Sequence, residues 1–222
     1  IEDSFFELGG HSLKATAAIN AIEKKTGIRL PVKDIFSSPT PVMLAKKIEA
    51  AGEGEYSPIP KAEQREAYPA SSTQKRLFIL DQMEGSSTAY NMASALEVTG
   101  NLDLEKIQQA IDRLIQRHES LRTSFVMTEG ETFQVIADEV FYQVEYEETD
   151  SYSEADMESF VRPFDIGKAP LMRFKVAKER NRNNYILLFD VHHIISDHQT
   201  LNLLIEDFSR LYNGEELQPL EL

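Results

Sequence analysis

Hydrophobic positions along the chain fall into two regimes separated by a polar stretch. From Ser12 to about Lys25, Ala15, Ala18, Ile19 and Ile22 recur at helical spacing, and Gly27 suits the position just past the last turn. Pro31 to Phe36 can make a short helix that Ser37-Ser38-Pro39 ends. Thr40 and Pro41 then read as an N-cap and first helical residue, with Val42, Leu44, Ala45 and Ile48 on the apolar side and Lys46 and Lys47 on a solvated face. Ala51 to Glu66, rich in Gly, Glu, Pro and Ser, shows no apolar period and reads as an extended connector. Fully stretched it would span at most roughly 50 Å.

The second regime mixes periods. Ser71 and Gln74 have capping-box spacing ahead of a core-forming run, Leu77 to Leu80. Ala93 to Val98 reads as a strand. Asp103 caps a long helix with Ile107, Ala110, Ile111, Leu114 and Ile115 on one side. Ser124–Met127 and Thr132–Ala137 flank a turn at Thr128 to Glu131, the pattern of a hairpin. Val140 to Tyr146 suggests another strand, and the acidic run from Glu145 to Asp156 a solvated surface. Tyr185 to Ile194 is apolar on both alternating faces and predicts a buried strand, leading into a helix from Leu201 to Tyr212 that Gly214 stops. The chain is therefore expected to be multi-domain: an all-α part over residues 1–50, a linker over 51–66 and an α+β domain over 67–222.

Composition narrows the function. A hydrophobic content of 41% supports packed cores. The net charge of −14, from 37 acidic against 23 basic residues, makes nucleic acid a poor partner. Without cysteine there is no disulfide, no thiolate catalysis and no Cys-ligated zinc. No signal peptide and no apolar run of membrane-spanning length is seen, so a cytoplasmic location off the membrane is expected.

Two stretches carry chemistry. In Asp3-Ser4-Phe5-Phe6-Glu7-Leu8-Gly9-Gly10-His11-Ser12-Leu13, a serine opens a helix. Such a serine is either an N-cap or a place that welcomes a phosphate, because free amides and the positive dipole end favour negative charge. Gly9 and Gly10 let a bulky reaction partner approach the backbone. In Phe189-Asp190-Val191-His192-His193-Ile194-Ile195-Ser196-Asp197-His198, adjacent strand residues point to opposite faces. Only one of His192 and His193 is then expected to meet a substrate, the other being a structural hydrogen-bonder. Asp197 lies just past the strand end and is either a helix cap or part of the site. A metal site is not expected, since strand geometry splits the histidines and no further His or Cys cluster appears.

The first string resembles the motif of peptidyl carrier (thiolation) domains of nonribosomal peptide synthetases. The resemblance implies 4′-phosphopantetheine on Ser12, transferred from coenzyme A by a phosphopantetheinyl transferase. His11 is typical of carriers that feed condensation domains; those feeding epimerization domains more often have Asp there. The His-His-x-x-x-Asp string resembles the active-site motif of condensation domains, which share the chloramphenicol acetyltransferase-like sandwich fold. Ser71 to Leu77 and Arg117-His118-Glu119-Ser120-Leu121-Arg122-Thr123-Ser124-Phe125 resemble two further motifs of that family.

The resemblance carries further implications. Complete carriers have four helices, so the first would precede Asp3; condensation domains have two lobes, so residues 67–222 would be the N-terminal one. The chain is then expected to be a fragment of a longer synthetase, working with an adenylation domain, neighbouring carriers and aminoacyl or peptidyl thioesters. The chemistry would be amide formation by attack of an α-amine on a donor thioester. His193 would be the catalytic imidazole, either removing a proton or positioning the amine, with His192 and Asp197 in support and Arg122 as ion-pair partner of Asp197. Holding both reactants in near-attack geometry can supply about 7–11 kcal/mol. His198 departs from the family glycine and raises a non-catalytic docking platform as an alternative; epimerization, which shares the motif, is the other.

Overall fold

The computed structural model describes residues 2–51, 62–84, 87–180 and 182–220. Most of the connector expected over 51–66 therefore lies outside the described residues. The chain divides into two compact units, Ile1–Ala62 and Glu63–Leu222.

The first unit is helical: α1 (Ser12–Thr26), α2 (Lys33–Ser37) and α3 (Pro41–Ala51). Its small core is Ala15, Ile19, Leu30, Ile35 and Leu44, with Phe5 and Phe6 packed against it. The stripe expected on α1 is thus buried at Ala15 and Ile19 and only partly at Ala18 and Ile22. Gly27 ends α1 at φ 70°, its amide donating to the Glu23 carbonyl. At α3 the Thr40 hydroxyl accepts from the Met43 amide at 3.3 Å, as a capping threonine does. Lys47 does not lie on an idle solvated face: its ammonium bonds Asp34 at 2.6 Å and Ser37 at 3.0 Å, tying α3 to α2.

The second unit sets two sheets among helices. Its elements are β1 (Tyr68–Pro69), α4 (Ser72–Glu84), β2 (Asn91–Thr99), α5 (Leu104–Arg117), a 3₁₀ turn (Glu119–Arg122), β3 (Thr123–Thr128), β4 (Glu131–Ile136), β5 (Glu145–Thr149), α6 (Glu154–Phe160), β6 (Met172–Glu179), β7 (Asn184–His192) and α7 (His198–Tyr212). The small sheet runs β1-β4-β3 and the large one β2-β7-β6-β5, in which only β5 and β6 pair in parallel. The β3–β4 hairpin turns through Glu129 and Gly130, both at positive φ, the geometry a two-residue connection requires.

One face of β7 (Tyr185, Leu187, Phe189, Val191) packs with Phe174 of β6 against α5 and α7. Every core residue expected on α5 is buried, and Asp103 caps it by accepting from the Glu105 and Lys106 amides. The opposite face carries Ile186 and Leu188 beneath Phe160 of α6. All nine residues of β7 are buried, as its continuous apolar run predicts.

Three expectations shift. The strand foreseen over Val140–Tyr146 begins only at Glu145, because Tyr142 turns inward and exchanges hydrogen bonds with the Phe174 backbone instead of pairing. Burial pushes that phenol up to about 12. The acidic run is not plain surface either: it supplies β5 and α6, with Glu147 paired to Lys175 at 2.6 Å. In α4, Leu77 and Phe78 are buried but Ile79 faces outward.

Candidate active site

Strand β7 is the middle of its sheet, held by β2 on one side and β6 on the other, so its end is a rigid platform. The strand expected to reach Ile194 stops at His192, and residues 193–195 turn. That early stop separates the two imidazoles. His192 is fully buried, whereas His193 swings off the strand and is exposed.

The His193 amide donates to the Tyr90 carbonyl at 2.8 Å, and its Nδ1 lies 2.6 Å from the Ser196 carbonyl. A carbonyl only accepts, so Nδ1 carries the proton and the neutral ring keeps its lone pair on Nε2. Ser196 is itself fixed, its hydroxyl donating to the His192 carbonyl at 3.0 Å. The turn thus defines both the direction and the tautomer of the exposed ring.

His192 shows the opposite character. Its Nδ1 accepts from the Ile194 amide at 3.1 Å, which places the neutral ring's proton on Nε2, an atom buried without a partner among the described residues. The ring meets Phe164 edge-on, centroids 6.0 Å apart. Burial first, and the neighbouring His193 second, hold its pKa down at about 4. Because this folded value is below the ordinary 6.5, acid favours the unfolded chain: the contribution is whole above pH 6.5 and lost as pH falls towards 4. We expect on the order of 2 kcal/mol to disappear across that window. Urea unfolding of the wild type and a His192→Asn variant at pH 7 and pH 4.5 checks this, the variant showing the smaller difference.

Asp197 does not meet Arg122. It is exposed and caps α7, accepting from the Thr200 amide and hydroxyl at 2.8 Å each, while its own amide donates to Thr200 Oγ1. These bonds to Thr200 hold its carboxyl below the usual range, with His193 a smaller influence. Arg122 instead spends its guanidinium on the carbonyls of Ala137, Asp138 and Gln116. The expected pair fails because both groups find local partners first. His198 is the exposed first residue of α7, and its φ is not positive, so the backbone here makes no demand for glycine.

Two groupings had no sequence signal. Asp190, on the His192 face of β7, is wholly buried and bonds Arg173 at 2.7 Å and Asn91 at 2.8 Å. Asp207 on α7 joins Arg117 and His118 at the end of α5. Register across strands and helices brings these together, and no local spacing announces it.

In the first unit, Ser12 is exposed and is the first residue of α1, not its cap; His11 takes that place and offers no side-chain bond to the helix. Gly9 adopts φ 84°, and Gly10 lies so close to the Phe5 ring and carbonyl that a Cβ would overlap them. Gly10 is thus explained by packing under the loop, not by room for a partner. Among the described residues no group of three metal-ligating side chains comes together, and no helix is long and apolar enough to cross a membrane.

Two family descriptions match the chain, one in each part. Residues 64–222 match the family described as Condensation domain, and residues 1–48 match Phosphopantetheine attachment site. The chain belongs to the condensation-domain family, with a phosphopantetheine attachment region ahead of it. It is 45% identical to tyrocidine synthase 3 of Brevibacillus parabrevis over its whole length, and 41% identical to surfactin synthase subunit 1 of Bacillus subtilis (strain 168) over 99% of it. The chain spans only 3% and 6% of those two relatives. In fold it is similar to the starter condensation domain of rhizomide synthetase (TM-score 0.60, 17% identity, 67% of this chain, 35% of that one). The first condensation domain of the calcium-dependent antibiotic synthetase is similar too (TM-score 0.61, 16% identity, 70% and 40%). The second unit therefore has the condensation-domain, chloramphenicol acetyltransferase-like fold.

Proposed function

We propose that this chain takes part in nonribosomal peptide synthesis, with residues 1–50 as the carrier, 51–66 as its connector and 67–222 as part of an amide-forming condensation domain. The observation that carries this reading is the His193 ring: exposed, fixed by the Ser196 carbonyl, and left with Nε2 as its open acceptor. Nε2 accepts the proton of an incoming α-amine as that amine attacks a donor thioester, whose C–S bond breaks so that the donor leaves as a thiol carrying that proton, or else Nε2 holds the amine in line for the same step. His192 stays neutral beneath and fixes the turn through Ile194, and Asp197 anchors the turn to α7.

Ser12 is the proposed attachment point for 4′-phosphopantetheine, and the residues around it fit. Its hydroxyl is on an exposed first-turn residue, beside helix amides that no side chain caps and that favour a phosphate. When bound, the group supplies a thiol on a long flexible arm, which holds acyl groups as thioesters. The partners this entails are coenzyme A and a phosphopantetheinyl transferase, an adenylation domain that selects the amino acid, neighbouring carriers, and their aminoacyl or peptidyl thioesters. A cytoplasmic setting, where these are made, suits the absence of cysteine.

Incubation with coenzyme A and a phosphopantetheinyl transferase should raise the intact mass by one phosphopantetheine. Ser12→Ala should abolish the gain. A gain that survives this change would sink the assignment.

A further inference from the structure

The geometry points to Arg173 as a positioning residue for the reaction at His193, an inference that rests on the function proposed above. Arg173 stands directly opposite Asp190 across β6 and β7, and Asn91 stands opposite His192 across β2 and β7, so all four share one face of the sheet. The Asp190 carboxylate takes Arg173 and Asn91 on the same oxygen. The rest of the guanidinium fork reaches the preceding loop, donating to the carbonyls of Arg162 at 2.5 Å and Pro163 at 2.6 Å. Its central carbon, Cζ, also lies over the Phe164 ring, 3.7 Å from the ring centre. Phe164 in turn meets His192 edge-on, and His192 takes the amide of Ile194 in the turn that aims His193. One side chain therefore links the buried carboxylate on that face, the loop that packs against it and the Phe164 ring that meets His192.

Stability alone does not account for this pair. Both charges are removed from water, Asp190 completely, and its second carboxylate oxygen has no partner among the described residues. An apolar pair of similar volume would commonly serve the fold as well or better. What it could not do is grip two consecutive loop carbonyls while stacking on the aromatic ring next to them, a task that suits a planar, five-donor cation and not a lysine. The buried pair is explained if its office is the placement of Phe164 and His192. Displacement of a positioned group by about 1 Å can cost about 100-fold in rate.

Amide formation is measured in the full-length protein with an aminoacyl thioester donor and a loaded amine acceptor, for Arg173→Lys, for the paired change Arg173→Met with Asp190→Leu, and for His193→Ala. The expected result is a kcat lowered about 10- to 100-fold in both Arg173 variants at unchanged KM and near-native melting temperature, with His193→Ala lowered about 10²- to 10⁴-fold. If His193→Ala shows its full loss but the Arg173 variants keep native kcat, or lose it only in step with their unfolded fraction, the inference is overturned and the functional reading stands. If neither Arg173 variant folds, Arg173 is structural and the inference is likewise overturned. If the His193→Ala rate stays within a factor of a few of wild type, the reading fails and takes the inference with it.

Discussion

His193→Ala should lower amide formation by about 10²- to 10⁴-fold while leaving the protein folded. The rate effect follows from what the ring offers: Nε2 is the atom of the turn that can take a proton, and alanine offers none. The stability effect is small because the ring is exposed and surrenders one hydrogen bond, to the Ser196 carbonyl, a loss of about 1 kcal/mol. His193→Gln separates the two roles. If the imidazole only positions the amine, a neutral amide that keeps a polar group there should recover part of the rate; if it removes a proton, glutamine should be as poor as alanine. Single-turnover product formation, compared across the three proteins at equal folded fraction, decides. A His193→Ala rate within a factor of a few of wild type would move the chemistry elsewhere.

The sequence was most readable where signals are local or strictly periodic. Apolar spacing on α5, the cap at Asp103, the capping box of Ser71 and Gln74 and the continuous run of β7 each depend on residues a few positions apart, and each appears as expected. Alternation on β7 also separated His192 from His193, although the physical cause differs in part: the strand ends one residue after Val191, and the turn carries His193 out of the core-facing row. Reading failed where a side chain had two possible destinations. Asp197 could cap a helix or pair with a distant arginine, and the cap won because Thr200 is three residues away on a helix that orders its amides. Tyr142 could sit on a strand or serve a neighbouring backbone, and the buried Phe174 peptide claimed it. The Asp190–Arg173–Asn91 cluster was illegible for a simpler reason, since strand register is a property of the whole sheet.

Asp207→Ala should destabilise the junction between α5 and α7 by about 3 kcal/mol. One carboxylate oxygen of Asp207 receives Arg117 Nε at 2.9 Å and His118 Nε2 at 2.8 Å, and all three side chains are largely shielded, 13–18% exposed. Removing the carboxylate strands the Arg117 charge in that setting, so the cost is the penalty of an unpaired cation as well as the lost bonds. Arg117 keeps one other tie, to the Gln218 carbonyl at 2.6 Å, which tempers but does not replace the loss. The consequence should reach the proposed active site, because α7 starts at the Asp197 cap beside the His193 turn and Asp207 is what fastens its middle to the end of α5. Asp207→Asn is the informative companion: it keeps an acceptor for Arg117 without the charge and should recover about half of the stability. Chemical unfolding of the two variants measures the first claim. Hydrogen exchange at the amides of residues 193–200 measures the second, with faster exchange expected in Asp207→Ala; unchanged protection there would show that the turn is held by β7 and Tyr90 alone.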